Sequence, residues 1–355
     1  MVYMKQSRLI LPTGRVAPLA RLGRALASKA YADAKFFLIV DENTYAHCLP
    51  EVVARVAAFE QAEFVEVPVG EECKSIEIAA QVWQTMLESD ADTNTVVVSL
   101  GGGAVCDLGG FVAAGYKRGV RNINIPTTLI AMADAAIGGK TAVDLGGVKN
   151  PVGYFKMPDI VCVDTSFLDT LPDAEVVAGA FEVVKTAAVA DADLFRSLVD
   201  GASACASAPV VARVAEIKQA VVGADPNDHG IRHILNFGHT FGHAVEAHRA
   251  AAGKPVSHGV AVGIGMALAL RLSVLKLGFP RDDYDRYCRF LTKYVDFPRF
   301  TLRDTEALLA LMRNDKKNRG GEILAVLMQR LGEPVINIAL SDNEIRDTFL
   351  KGMAL

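Results

Sequence analysis

Short, unbroken apolar runs recur through the first half of the chain, and they restrict its fold more than any other feature. Phe36-Phe37-Leu38-Ile39-Val40 ends in Asp41, and Thr95-Val96-Val97-Val98-Ser99-Leu100 ends in Gly101-Gly102-Gly103. Phe64 to Pro68, Ile123 to Ile125 and Ile160 to Val163 are shorter runs of the same kind. A run without polar alternation has both faces buried, as in a parallel sheet covered by helices. Helical patterns fill the spaces between them, from Asp41 to about Phe59 and from Ser75 to Leu87. This alternation predicts an α/β unit with a mainly parallel sheet.

Beyond about Leu168 the character changes. Helical patterns cover Asp173–Ala190, Pro209–Gly223, His233–His248, His258–Leu277, Asp282–Val295 and Asp304–Arg313. Strand signals return only around Ile323–Met328 and Pro334–Leu340, with a last helix near Asn343–Leu350. The expected architecture is therefore an α/β, Rossmann-like nucleotide-binding domain over 1–170 and a mainly α-helical domain over 171–355. The longest apolar run, Val260 to Leu270, is short of the ~20 residues that span a bilayer and reads as a buried core helix. A net charge of −4 argues against a nucleic-acid surface. The start of the chain has no apolar run of signal-peptide length. The six cysteines are dispersed with no C-x-x-C pair, which points to a reducing, cytoplasmic setting. Any metal would then be held by histidine and carboxylate.

Gly101-Gly102-Gly103 joins a strand to a helix, where backbone N–H groups and the positive helix end suit a phosphate. The spacing is not G-x-G-x-x-G, so the dinucleotide fingerprint is absent and a ligand-free tight turn stays open. Asp107, one turn into the helix, and Asp41 with Asn43 after an earlier strand could reach cofactor hydroxyls. Between 127 and 150, Asp134, Lys140, Lys149 and Asn150 are interleaved with two Gly-Gly pairs, a composition that can hold an anion. Gly-Gly-Lys-Thr (138–141) lacks the first glycine of a phosphate loop, so a nucleoside triphosphatase is rejected.

Six of the seven histidines (229, 233, 239, 243, 248 and 258) fall within thirty residues. His239 and His243 are four apart and share a helix face, and His258 can return to the same point after a proline-containing connector. Glu182 and Lys185 share another face amid apolar neighbours. An ordinary ion pair is one reading of them. The other is a buried carboxylate that needs a cation, which with two histidines would make an open catalytic zinc site.

Assembled in order, these segments resemble the 3-dehydroquinate synthases of the sugar-phosphate cyclase family. The segments are G-E-E-C-K (70–74), G-G-G-A-V-C-D (101–107), P-T-T-L (126–129), D-A-A-I-G-G-K-T (134–141), K-N (149–150), F-L-D-T-L-P (167–172), A-G-A-F-E-V-V-K (178–185), L-N-F-G-H-T-F-G-H-A (235–244), S-H-G-V-A-V (257–262) and N-D-K-K (314–317). The resemblance implies an enzyme that uses NAD and a divalent metal, Zn2+ or also Co2+. It implies conversion of 3-deoxy-D-arabino-heptulosonate 7-phosphate to 3-dehydroquinate with loss of phosphate.

By motif, the metal ligands would be Glu182, His239 and His258. NAD would meet Asp41, Asn43, Glu71, Lys74, Gly102, Gly103, Asp107, Thr127, Thr128, Lys149, Thr170, Leu171 and Glu175. The catalytic set would be Asp134, Lys140, Asn150, Lys185 and His243, with Lys218, Arg232, Asn236 and Lys316 or Lys317 binding substrate. A small sugar phosphate and a second copy of the chain are the implied partners, with neither nucleic acid nor membrane. Two features depart from the family pattern. H-G-E is here H-G-V, with Val260, and two serines are replaced by Ala135 and Ala136. The rival readings are a paralogous valiolone or deoxy-inosose cyclase, a metal-dependent polyol dehydrogenase, and a non-catalytic NAD-binding protein. Arg232, Asn236, His243 and Lys218 favour the carboxylated substrate.

Overall fold

The computed structural model describes residues 6–313 and 322–355, in two compact units. The first comprises the chain up to Val176 together with Ala206–Asn227; the second comprises Val177–Cys205 and Asp228–Leu355. The expected partition into 1–170 and 171–355 is continuous, whereas the compact units are not: the segment 206–227 returns to the first.

The first unit is built on strands β1 (Arg8–Ile10), β2 (Phe36–Asp41), β3 (Glu63–Val67), β4 (Val96–Gly101) and β5 (Arg121–Pro126). A hairpin of β6 (Lys140–Leu145) and β7 (Val148–Phe155) precedes β8 (Ile160–Cys162). Six of these form one sheet in the order β1-β8-β5-β4-β2-β3, every pair parallel. β2 and β4 are buried at every position, as their unbroken apolar sequences require. The helices are α1 (Pro18–Leu26), α2 (Glu42–His47), α3 (Leu49–Arg55), α4 (Ile76–Glu88) and α5 (Gly103–Gly115). Phe37, Ile39, Val97, Leu108 and Phe111 belong to the core formed where α4 and α5 cover the sheet.

The chain runs outward from β2 to β3, then returns on the other side of β2 to form β4 and continue to β5. The strand order therefore reverses between β2 and β4. In open α/β sheets, ligands bind beyond the carboxyl ends of the strands at such a reversal.

After α6 (Asp173–Ala190) and α7 (Ala192–Val199), α8 (Ala208–Ala224) packs with the first unit, where Gln219 Nε2 donates to the Ser7 carbonyl at 2.8 Å. The second unit continues with α9 (His239–Ala251), α10 (His258–Leu277), α11 (Arg281–Thr292) and α12 (Leu302–Arg313). It closes with an antiparallel pair, β9 (Ile323–Arg330) and β10 (Glu333–Leu340), and α13 (Asp342–Lys351). α10 is long and apolar enough to cross a membrane, but Ala261 to Ser273 are buried without a break and form the core of this unit.

Three elements differ from the sequence expectation. β1 is only three residues long, too short for any period to register. The glycine-rich 140–155 stretch is a hairpin turning at Gly146 and Gly147 (φ 58° and 77°), the left-handed pair that a tight hairpin turn requires. The helix expected from His233 to His248 is interrupted. A 3-10 turn covers Ile231–Asn236, Gly238 takes φ 78°, and α9 starts at His239.

Candidate nucleotide edge and metal centre

In the first unit, seven of the thirteen residues expected to meet NAD lie at the carboxyl ends of the parallel strands. Asp41 ends β2, Glu71 and Lys74 follow β3, Gly102 and Gly103 follow β4, and Thr127 and Thr128 follow β5. Gly102 is the N-cap of α5, with no side-chain cap, so the first N–H groups of that helix project from an uncovered turn. A Cβ on Gly102 would stand 3.2 Å from Thr128 Cγ2, and one on Gly103 would stand 3.1 Å from Ala135 Cβ. A side chain at either position would require its neighbour to shift.

Lys74 ties this edge together. Its buried ammonium is 2.8 Å from Asp107 Oδ2 and 2.7 Å from Asn150 Oδ1, with Glu71 at 3.7 Å. Burial pushes the Asp107 carboxyl up to about 6, against the opposing pull of Lys74. Burial also works against the Lys74 charge, but Asp107 and Glu71 outweigh it and leave its pKa raised. Asn150, expected in the catalytic set, accepts from Lys74 through its amide oxygen. Its backbone is left-handed (φ 53°), and its N–H donates to Asp144 Oδ1 at 2.7 Å.

Asp41 also has a local task. Its Oδ1 accepts from the N–H of Thr44 at 2.8 Å and the Thr44 hydroxyl at 3.0 Å, capping α2. Asn43, Lys149, Thr170 and Glu175 are exposed, and Leu171 is partly buried. Asp134 lies on a π-helical turn, Ala131–Ala135, of the kind often found at functional positions. Lys218 on α8 holds it at 2.7 Å through Oδ1 and also donates to its carbonyl. Lys140 is exposed at the start of β6.

In the second unit, three helices bring Glu182, His239 and His258 together. α6 supplies Glu182, its side chain 1% exposed, and α9 and α10 each begin on a histidine. The close approach depends on glycine. A Cβ on Gly259 would lie 2.0 Å from the Ala178 carbonyl oxygen, and one on Gly238 would lie 2.6 Å from Met266 Cγ. Gly238 is doubly constrained, because its left-handed φ also turns the chain into α9.

Among the described residues, Glu182 Oε1 accepts no hydrogen bond, although it is buried. It lies 3.7 Å from His239 Nε2 and 3.6 Å from His258 Nε2, beyond hydrogen-bonding reach. Donors held ~2.0–2.1 Å from one tetrahedral zinc would be about 3.3 Å apart, so the spacing and the N/N/O donor set fit a divalent metal. The other oxygen, Oε2, is 2.6 Å from the Lys185 ammonium. His243 adds a third imidazole, and donor nitrogens of His239, His243 and His258 all lie within 4.8 Å of one another. Burial lowers the His258 pKa, but the hydrogen bond to Glu246 and the charges of Glu182 and Glu246 leave it raised overall.

The chain belongs to the 3-dehydroquinate synthase family. Residues 64–178 match the family's N-terminal domain and 179–318 its C-terminal domain. A 3-dehydroquinate synthase of Parabacteroides distasonis is 36% identical over 318 residues, covering 88% of this chain and 90% of that one. One from Bordetella pertussis is 42% identical over 282 residues, covering 78% of each. Among solved structures, the 2-epi-5-epi-valiolone synthase of Streptomyces hygroscopicus subsp. jinggangensis 5008, with NAD+ and Zn2+ bound, superposes with a TM-score of 0.82. It is 27% identical and covers 99% of this chain and 98% of that one.

The remaining family-implied residues divide clearly. Arg232 is buried at 4% exposure on the turn that ends at Asn236. Lys316 and Lys317 lie outside the described residues. Two histidines without an expected role have local partners: His233 Nε2 lies 2.9 Å from the Asp228 carbonyl, and His248 Nε2 lies 3.3 Å from Asp304. Sequence reasoning passed over Glu246, which contacts His258. Counting the helical face on from His239 by seven residues would have found it.

Proposed function

We propose that the chain converts 3-deoxy-D-arabino-heptulosonate 7-phosphate to 3-dehydroquinate and phosphate, a carbon–oxygen lyase step that closes a carbocycle. It serves the shikimate route to aromatic amino acids, in the cytoplasm. One observation carries the reading: in a chain of this family, Glu182 Oε1 converges on His239 and His258 and accepts no hydrogen bond among the described residues, while Oε2 is paired with Lys185. The overall change is a transient oxidation, phosphate elimination, re-reduction, ring opening and intramolecular aldol closure. Bound NAD would take and return a hydride within one turnover, while bound zinc would polarise the hydroxyl being oxidised.

The residues divide the remaining work. Glu182, His239 and His258 would hold the metal, and cobalt suits the same donors. Arg232 offers a planar fork for a carboxylate or phosphate, assisted by Lys185 and Asn236 of the same unit, and Lys140 is a further candidate cation for substrate. His243 would handle a proton, and Lys218 orients Asp134. The backbone of Gly102 and Gly103, the Lys74–Asp107 pair and the flanking Asp41, Asn43, Glu71, Thr127, Thr128 and Lys149 would bind NAD. Thr170, Leu171 and Glu175 complete that set. A second copy of the chain is the expected partner. The β6–β7 hairpin supports this by exposing Leu145, Val148, Val152, Tyr154 and Phe155.

A substrate screen separates this reading from the paralogous cyclases. Phosphate should be released from the heptulosonate phosphate and not from sedoheptulose 7-phosphate or glucose 6-phosphate. Preferential release from either of the latter would reassign the substrate.

A further inference from the structure

His258 makes a second contact that metal binding does not use. Its Nδ1 lies 3.0 Å from Oε2 of Glu246, while Nε2 faces Glu182 Oε1 at 3.6 Å. An ionised carboxylate can only accept, so this contact puts the ring proton on Nδ1 and leaves the lone pair on Nε2. Glu246 is seven residues after His239 and three after His243, on the same face of α9.

His239 reaches the same state by another means. Its Nδ1 lies 3.2 Å from the Phe237 carbonyl oxygen, again leaving Nε2 directed at Glu182. The two rings are thus held in one tautomer by two acceptors, one a backbone group and one a side chain. His258 has the greater need of such a hold. It is the first residue of α10, follows a largely exposed connector over 251–257, and has a side chain 38% exposed. Packing alone does not fix its ring.

We propose that Glu246 is a positioning residue for the metal centre. It locks His258 in the Nδ1–H form, aims Nε2 at the cation, and makes that nitrogen a better donor. The proposal rests on His258 being a metal ligand, and the test separates the two claims.

Full-length wild type would be compared with Glu246→Ala, Glu246→Met, Glu246→Gln and His258→Ala. Zinc affinity would be measured by competition with a chromophoric chelator, and the His258 tautomer by 15N NMR of the metal-free protein. Removing the acceptor (Ala, or Met of similar volume) should weaken zinc binding by about 10–100-fold and raise the Nε2–H population. Glu246→Gln, which keeps an acceptor, should recover part of the affinity. NAD affinity should not move in any of them. Wild-type zinc affinity in a folded Glu246→Ala or Glu246→Met protein, with His258→Ala losing zinc, would overturn the role of Glu246 alone. Wild-type affinity in His258→Ala as well would overturn the ligand assignment beneath it.

Discussion

The candidate nucleotide edge of the first unit and the candidate metal cluster of the second are built by opposite means. The edge is assembled from backbone at the ends of parallel strands, with short residues such as Gly102, Gly103, Thr127 and Thr128 at its lip. Any one of its contacts is small and shared. The cluster depends on three long side chains carried by three helices, brought together where glycine removes the side chain between them. Loss of one donor there removes a large fraction of the site. A distributed site should degrade gradually under mutation, and a concentrated one abruptly.

The largest effect should come from the cluster. His239→Ala should lose bound zinc and reduce kcat by at least about a thousand-fold, given how much catalysis such electrostatic groups supply. NAD binding, measured by calorimetry, should stay within a few-fold. Retention of zinc would remove His239 from the ligand set. His243→Ala sharpens the same point, because it should cut activity by about a hundred-fold, the scale of a proton-transfer group, while zinc content is unchanged. Loss of zinc in that variant would make the third imidazole a ligand.

The next effect tests how the cluster is brought together. Gly259→Ala puts a methyl 2.0 Å from the Ala178 carbonyl, a backbone group that cannot rotate away. Overpacking of this kind should cost about 1–3 kcal/mol in urea unfolding and weaken zinc binding as α6 and α10 separate. Unchanged stability and zinc affinity would show that the approach of these helices is not what sets the site.

Mutation of the edge should be milder. Lys74→Ala removes the partner of Asp107 and Asn150 and should weaken NAD by about 10-fold, roughly one charge-assisted contact, leaving zinc affinity intact. The smallest effect is a pH dependence. Because the Asp107 carboxyl is raised to about 6, it is ionised at neutral pH and gains a proton as pH falls through that value. The ionised form is the stronger acceptor for a cofactor hydroxyl, so NAD affinity should decline a few-fold between pH 7 and pH 5. Asp107→Asn should flatten that decline. Burial disfavours the ionised form, so the same group's contribution to folding stability has the opposite sign. It is greatest below the ordinary carboxylate pKa and is lost as pH rises through about 6.

How much of this could be read from the sequence depends on whether the cause was local. β2 and β4 were legible because burial on both faces leaves an unbroken apolar run. α6 and α10 match the helical patterns over Asp173–Ala190 and His258–Leu277. The hairpin was not legible, because Gly146-Gly147 and the lysines around it read equally well as an anion loop. The break before α9 turns on the sign of φ at Gly238, and glycine alone does not announce which sign it takes. α8 resembles the helices of the second unit, and only tertiary contacts such as Gln219 to Ser7 assign it to the first. Within the site, residue types and spacing pointed to Glu182 and to the group His239, His243 and His258, and the family motif chose Glu182, His239 and His258 among them. The pairing of Asn150 with Lys74, and of Glu246 with His258, joins segments whose proximity no local pattern encodes.

The most direct test of the account is the balance between phosphate and NADH in one reaction. The zinc-loaded protein, with NAD and the heptulosonate phosphate, should release one phosphate per substrate consumed, with no net rise in NADH absorbance. Accumulation of NADH in step with substrate loss, without phosphate, would make the protein a dehydrogenase and contradict the cyclase reading.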